Sequence, residues 1–242
     1  MSDKPVYGIM QPYFFPYIGH FSLIASVDRW IVFDITQYTP KTWMNRNRIL
    51  HPRTGWQYVT VPLGNGSIST RTCDARMLDP AETHQNIRGK LSHYKNRAPF
   101  YKEVISLVDA CFSVPDDSLV RLDTRALAAV CRYIGLPFEY QICSEMNLQL
   151  PENPGPGGWA LEIASQIGAG GYINPLSGRE LFDPEQFSAR GIRLSFLEPH
   201  AFTYATPAYG FEPGLSILDV LMWNPPEVVA HAARTHATLH ST

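Results

Sequence analysis

Two short apolar runs, and the distance between them, constrain this chain most. Val6-Tyr7-Gly8-Ile9-Met10 and Trp30-Ile31-Val32-Phe33 each have the length and composition of a buried strand. Between them lie an aromatic loop bearing two prolines and an apolar stretch, Phe21, Leu23, Ile24, Ala25 and Val27, which fits a short buried helix closed by Asp28 and Arg29. Strand, helix and strand in that order predict a parallel βαβ unit with a right-handed crossover. Pro12 ends the first strand, because proline cannot donate to a sheet ladder and restricts the residue before it. In such sheets ligands bind beyond the carboxyl ends of the strands, where the aromatic loop and Asp34 to Tyr38 fall.

The same alternation continues. Residues 57–62 read as a strand, 80–96 and 101–111 as helices, and 119–134 as a helix capped by Asp116 or Asp117 and stopped at Gly135. Strands at 138–142, 171–174 and 192–197 alternate with helical segments at 159–167 and 184–189, and helices at 215–222 and 227–233 follow. This order predicts an α/β fold: a mostly parallel, Rossmann-like three-layer sheet with helices on both faces. No polar linker divides residues 1–242, so a single domain is expected, with a mobile segment at 150–158 and a frayed tail from about residue 234.

Hydrophobic residues make up 45% of the chain and charged ones 17%, enough for a substantial core. A net charge of −2 gives no general attraction to nucleic acid, and no long apolar run predicts membrane insertion. The start of the chain lacks the apolar stretch of a signal peptide, so a cytoplasmic location is expected. Cys73, Cys111, Cys131 and Cys143 are far apart and read as reduced structural thiols. His231, His236 and His240 fit no zinc spacing, and no metal site is expected.

Three segments carry a family resemblance. Gln11-Pro12-Tyr13 through Pro16-Tyr17-Ile18-Gly19 is the first; the second runs from Asp34 through Gln37-Tyr38 to Trp43 and Asn45-Arg46-Asn47-Arg48-Ile49. The third is Phe211 with Leu215-Ser216-Ile217-Leu218-Asp219. Together they resemble the WbqC-like protein family over residues 6–224. That resemblance implies bacterial carbohydrate assembly, in the setting of O-antigen and other surface polysaccharides. Met222-Trp223-Asn224-Pro225-Pro226 and residues 151–158 depart from it, and no roles are carried over there.

Candidate site residues form three sets. Ile18-Gly19-His20 resembles half of the H-x-G-H signature of nucleotidylyl transferases, in which histidines stabilise charge developing on phosphates; Tyr17 stands where the first histidine would be. Gln37, after the second strand, has a counterpart in pantothenate synthetase-like enzymes. In the second set, Arg46 and Arg48 fall on one side of an extended segment and Asn45 and Asn47 on the other, so guanidiniums can fork to phosphate while amides read sugar hydroxyls. The bland alternative is a charged edge strand. The third set, Asp34, Tyr38, His84, Tyr94 and Asp183, offers acids, bases and hydroxyls, with Asp34 and His84 the candidate proton acceptors.

The expected function is an enzyme of surface-polysaccharide biosynthesis that transfers an acyl or aminoacyl group to a nucleotide-linked amino sugar. Asp34, His84 and His20 would be catalytic. Gln11, Tyr13, Tyr17, Gln37, Tyr38, Trp43, Asn45, Arg46, Asn47 and Arg48 would bind substrate. The cofactor is left open, with ATP a candidate, and a homo-oligomer is a candidate state. The competing expectation is a non-catalytic protein that binds a sugar nucleotide or couples enzymes of one pathway.

Overall fold

The opening strand, helix and strand form as the spacing predicts: β1 (Val6–Met10), α1 (Ile18–Ala25) and β2 (Arg29–Val32), with β1 and β2 parallel and Gly8 paired to Trp30. A long excursion follows, made of the hairpin β3 (Arg46–Leu50) and β4 (Trp56–Thr60) and the helices α2 (Pro80–Leu91), α3 (Tyr101–Phe112) and α4 (Leu119–Ile134). The chain then regains the sheet with β5 (Tyr140–Ile142) and continues through α5 (Pro156–Gln166), β6 (Gly171–Pro175), α6 (Pro184–Ala189) and β7 (Arg193–Pro199). It closes with α7 (Ile217–Trp223), α8 (Pro226–Thr235) and β8 (Ala237–Ser241). The computed structural model describes residues 4–207 and 209–242.

The sheet runs β5-β2-β1-β6-β7-β8, parallel except for β8, which pairs antiparallel with β7. Its central strands are apolar on both faces because both are covered. Tyr7 and Ile9 of β1, Ile31 of β2 and Tyr172 of β6 face the core beneath α5 and α6. Trp30 and Val32 of β2 and Ile173 of β6 face the larger core formed with α1, α3, α4, α7 and α8. The chain leaves β1 towards β2 and leaves β6 towards β7, so the connections diverge at the β1/β6 boundary. That is the switch point at which an open α/β sheet leaves a crevice.

Two local readings are corrected. Ser118, rather than Asp116 or Asp117, caps α4: its Oγ accepts from the Arg121 amide at 3.3 Å. Asp116 is engaged otherwise, accepting from the Ser118 amide and from Arg125. The tail expected to fray is β8, tied to β7 by its ladder and by a 2.9 Å contact between His240 and Glu198. The last residues of the segment expected to be mobile, from Pro156, form the first turn of α5. Among the described residues, no helix is long and apolar enough to cross a membrane.

Candidate binding cleft at the switch point

A cleft of about 650 Å³ opens beyond the carboxyl ends of β1, β2 and β6. Gln11 and Tyr13 enter it from the loop after β1, Thr36 and Gln37 from the segment after β2, and Asn174 from the end of β6. Asn153 and Trp159 come from the approach to α5 and its first turns, and Phe33 and Phe182 complete the aromatic wall. Among the described residues, no Asp, Glu, His, Cys, Lys or Arg lines it. Aromatic faces surrounded by amides and hydroxyls suit a neutral, hydroxyl-rich or planar ligand.

Much of this polar equipment is unengaged. The side chains of Gln11, Gln37 and Asn153 have no hydrogen-bond partner among the described residues. The Thr36 hydroxyl is enclosed and also unpartnered. Asn174, in contrast, is fixed. Its Nδ2 donates to the Pro175 carbonyl at 2.9 Å, so its Oδ1 is the atom that accepts from the buried Tyr172 hydroxyl at 2.8 Å. The start of α5 forms the rim at Gly155 and Pro156. Its second residue must be glycine, because a Cβ on Gly157 would stand 1.9 Å from the Leu181 carbonyl oxygen. The helix therefore starts tightly against the loop that carries Phe182, and its positive end favours an anion at that rim.

The aromatic loop is held from below. Phe14 and Phe15 are fully buried, and Phe15 adopts φ 40°, a left-handed conformation that is strained for a bulky residue. Asn47 Nδ2 donates to the carbonyls of Phe14 at 3.1 Å and Phe15 at 3.0 Å, and Ser216 Oγ donates to Phe15 at 2.6 Å. These bonds over-determine the turn and aim Gln11 and Tyr13 at the cleft. Burial, and then the neighbouring Tyr17, push the Tyr13 phenol above its ordinary value, so it remains a hydrogen-bond donor at neutral pH.

Of the residues singled out in the sequence, the cleft collects Gln11, Tyr13 and Gln37. The others lie elsewhere. Asp34 is buried at the end of β2, and its two oxygens accept from the Ser144 amide at 2.9 Å and hydroxyl at 2.6 Å; burial raises its pKa. It joins the ends of β2 and β5 and borders a separate cavity of about 320 Å³. His84 contacts Asp109 at 2.7 Å, stacks on Phe112 and lines a further cavity of about 710 Å³. His20 lies inside the first turn of α1, between Tyr13 and Trp30, where burial pushes its pKa down to about 3. Tyr17 folds over Gly19, where a Cβ would fall 2.4 Å from the tyrosine ring, and Tyr38 is buried.

The Trp43 to Arg48 segment is built into the hairpin. Both amides serve the backbone, Asn45 donating to Val61 and Asn47 to the aromatic loop. Arg46 donates to the Lys41 carbonyl at 2.7 Å and lies over Tyr58. Arg48 donates to Gly214 at 3.2 Å and lies over the rings of Trp43 and Trp56. Trp159, Asn153, Asn174, Thr36 and Phe182 are cleft residues that the sequence reading missed. The end of β6 was open to the same carboxyl-edge rule that selected Gln11, so Asn174 could have been found.

The comparisons with known proteins agree with the earlier resemblance. The family model for the WbqC-like protein family matches residues 11–231. Rv1507c, an uncharacterised protein of Mycobacterium tuberculosis, is 30% identical over 217 residues, covering 88% of this chain and 91% of that protein. No solved structure matches the chain.

Proposed function

The chain belongs to the WbqC-like protein family, and we propose that it is an enzyme of bacterial surface-polysaccharide (O-antigen-type) biosynthesis acting on a nucleotide-linked amino sugar in the cytoplasm. The observation that carries this reading is the switch-point cleft, where Gln11, Gln37 and Asn153 offer unengaged amides beside Trp159. A sugar ring stacks its C–H face on an indole and exchanges hydrogen bonds with amides through its hydroxyls. The diphosphate would lie at the rim, where α5 begins. The reaction is transfer of an acyl or aminoacyl group to the sugar amine, with ATP a candidate co-substrate.

The absence of carboxylate, imidazole, thiol and amine side chains from the cleft lining, among the described residues, favours one alternative. Such a lining suits binding without turnover, which is the behaviour of a sugar-nucleotide-binding or scaffold protein of the same pathway; in the enzyme reading the amine proton would leave through Tyr13 or the substrate itself. Incubation of the purified protein with amino-sugar nucleotides, acyl or aminoacyl donors and ATP, read by mass spectrometry, separates the two. The enzyme reading expects an acylated sugar nucleotide. Saturable binding with no mass change across a broad donor panel supports the scaffold. No binding of any sugar nucleotide overturns both.

A further inference from the structure

The outer face of the β3–β4 hairpin sets arginines among large aromatic rings. Pairing sets Arg48 opposite Tyr58 and Arg46 opposite Thr60, with Trp56 on the same face and Trp43 beside it. Trp43 and Trp56 remain 41% and 40% exposed. Arg46 lies 4.2 Å from the centre of the Tyr58 ring, and Arg48 lies 5.4 Å and 5.1 Å from Trp43 and Trp56. Neither guanidinium has a carboxylate partner among the described residues.

The sequence that carries this face is basic. Between Asp34 and Asp74 the sequence contains no acidic residue, while Lys41, Arg46, Arg48, Arg53 and Arg71 are basic, in a chain whose net charge is −2. One carboxylate from outside the stretch, Glu212, approaches Gly55 at the hairpin turn. The hairpin is a two-stranded sheet separate from the main one, and none of these side chains lines the switch-point cleft.

We propose that this face docks on the surface of an anionic lipid bilayer. Indole and phenol rings beside arginines are the side chains that settle at headgroup level, and basic residues are drawn to anionic headgroups. An extended nucleic acid is the weaker fit. Each of the three rings already has a guanidinium over one face, which reduces the open platforms that stacked bases use. The docking is peripheral: the rings and guanidiniums meet headgroups while the sheet and its cleft stay in water.

Co-sedimentation of the full chain with vesicles tests this. Phosphatidylcholine vesicles are compared with vesicles that also contain phosphatidylglycerol. Each basic side chain near an anionic surface is worth about fivefold in partitioning, so the anionic vesicles should retain at least about tenfold more protein, with a loss at high salt. Trp43→Ala with Trp56→Ala, and separately Arg46→Gln, should each lower that retention while circular dichroism stays unchanged. Trp159→Ala, in the cleft, should bind vesicles like the parent, so failure of the sugar-nucleotide reading leaves this result readable. Equal retention on both vesicle types, or retention unmoved by the hairpin variants, overturns the proposal. Displacement from vesicles by an oligonucleotide or by a soluble sugar nucleotide also overturns it, because the face would then belong to that ligand.

Discussion

The Asn47 side-chain amide donates to the Phe15 carbonyl at 3.0 Å, and Phe15 is the residue with φ 40° in the aromatic loop. The same Asn47 donates to Phe14, and its Oδ1 accepts from the Arg48 amide at 2.8 Å. One buried side chain therefore joins the hairpin to the loop that carries Gln11 and Tyr13.

Asn47→Ala should be strongly destabilising. It strands the Phe14 carbonyl and the Arg48 amide and leaves Ser216 alone on Phe15, at a cost of about 2–4 kcal/mol. Urea denaturation measures it. Ser216→Ala should couple with it in a double-mutant cycle, because both side chains hold one carbonyl oxygen. Simple additivity of the two losses would argue against a shared clasp.

Trp159→Ala should leave stability nearly unchanged and weaken sugar-nucleotide binding by about tenfold, since it removes an aromatic stacking surface. Trp159 stands in the cleft wall at the start of α5, only partly buried. Gln11→Ala and Gln37→Ala should each weaken binding less. Isothermal titration with a sugar nucleotide, beside melting curves, reads both quantities. Parent-like affinity in all three variants would remove the cleft from the proposed function.

These two predictions rest on relationships of different legibility. The α/β alternation was open to reading because the inner strands β1, β2, β6 and β7 are short, largely apolar runs and α4 carries its stop at Gly135. The parallel β1–β2 pair needed only the βαβ spacing. The role of Phe14 and Phe15 was hidden because the groups that turn them inward are remote: Asn47 lies 32 residues beyond Phe15 and Ser216 lies 201 beyond it. A run of aromatics looks the same whether it lines a cleft or closes a core. The tail was misread for a similar reason, since Ala237-Thr238-Leu239-His240-Ser241 is a strand only because β7 offers it an edge. Likewise Trp159 shares the cleft with Gln11 through sheet order, which no local pattern encodes.

His20 should make the protein acid-labile. Its folded pKa is pushed down to about 3 by burial, whereas in the unfolded chain it takes a proton near the ordinary 6.5. Between those values the unfolded state binds more protons, so stability falls as pH drops below the unfolded value. The loss attributable to His20 is about 2 kcal/mol by pH 5. His20→Leu should flatten the change in stability between pH 7 and pH 5. An equal loss in parent and variant would show that other groups set the acid limit.

Asp123 should act with the opposite sign. It is fully buried on α4, neither of its carboxyl oxygens has a hydrogen-bond partner, and burial raises its pKa well above 3.8, with Arg125 acting weakly against that rise. The folded protein therefore keeps a proton that the unfolded chain releases above 3.8. From there upward the folded state binds more protons, so this group's contribution falls as pH rises and is unfavourable at neutrality. Asp123→Leu, of the same branched shape but with bulkier methyl groups, removes both the retained proton and two unsatisfied oxygens, and should raise stability at pH 7 by about 1–3 kcal/mol. The gain should shrink as the pH approaches 3.8, where the unfolded carboxyl is protonated as well. Chemical denaturation of parent and variant at pH 7 and pH 4 decides this. A Leu variant and a smaller Asp123→Val variant both less stable than the parent at pH 7 would mean that the carboxyl has a partner that matters to the fold.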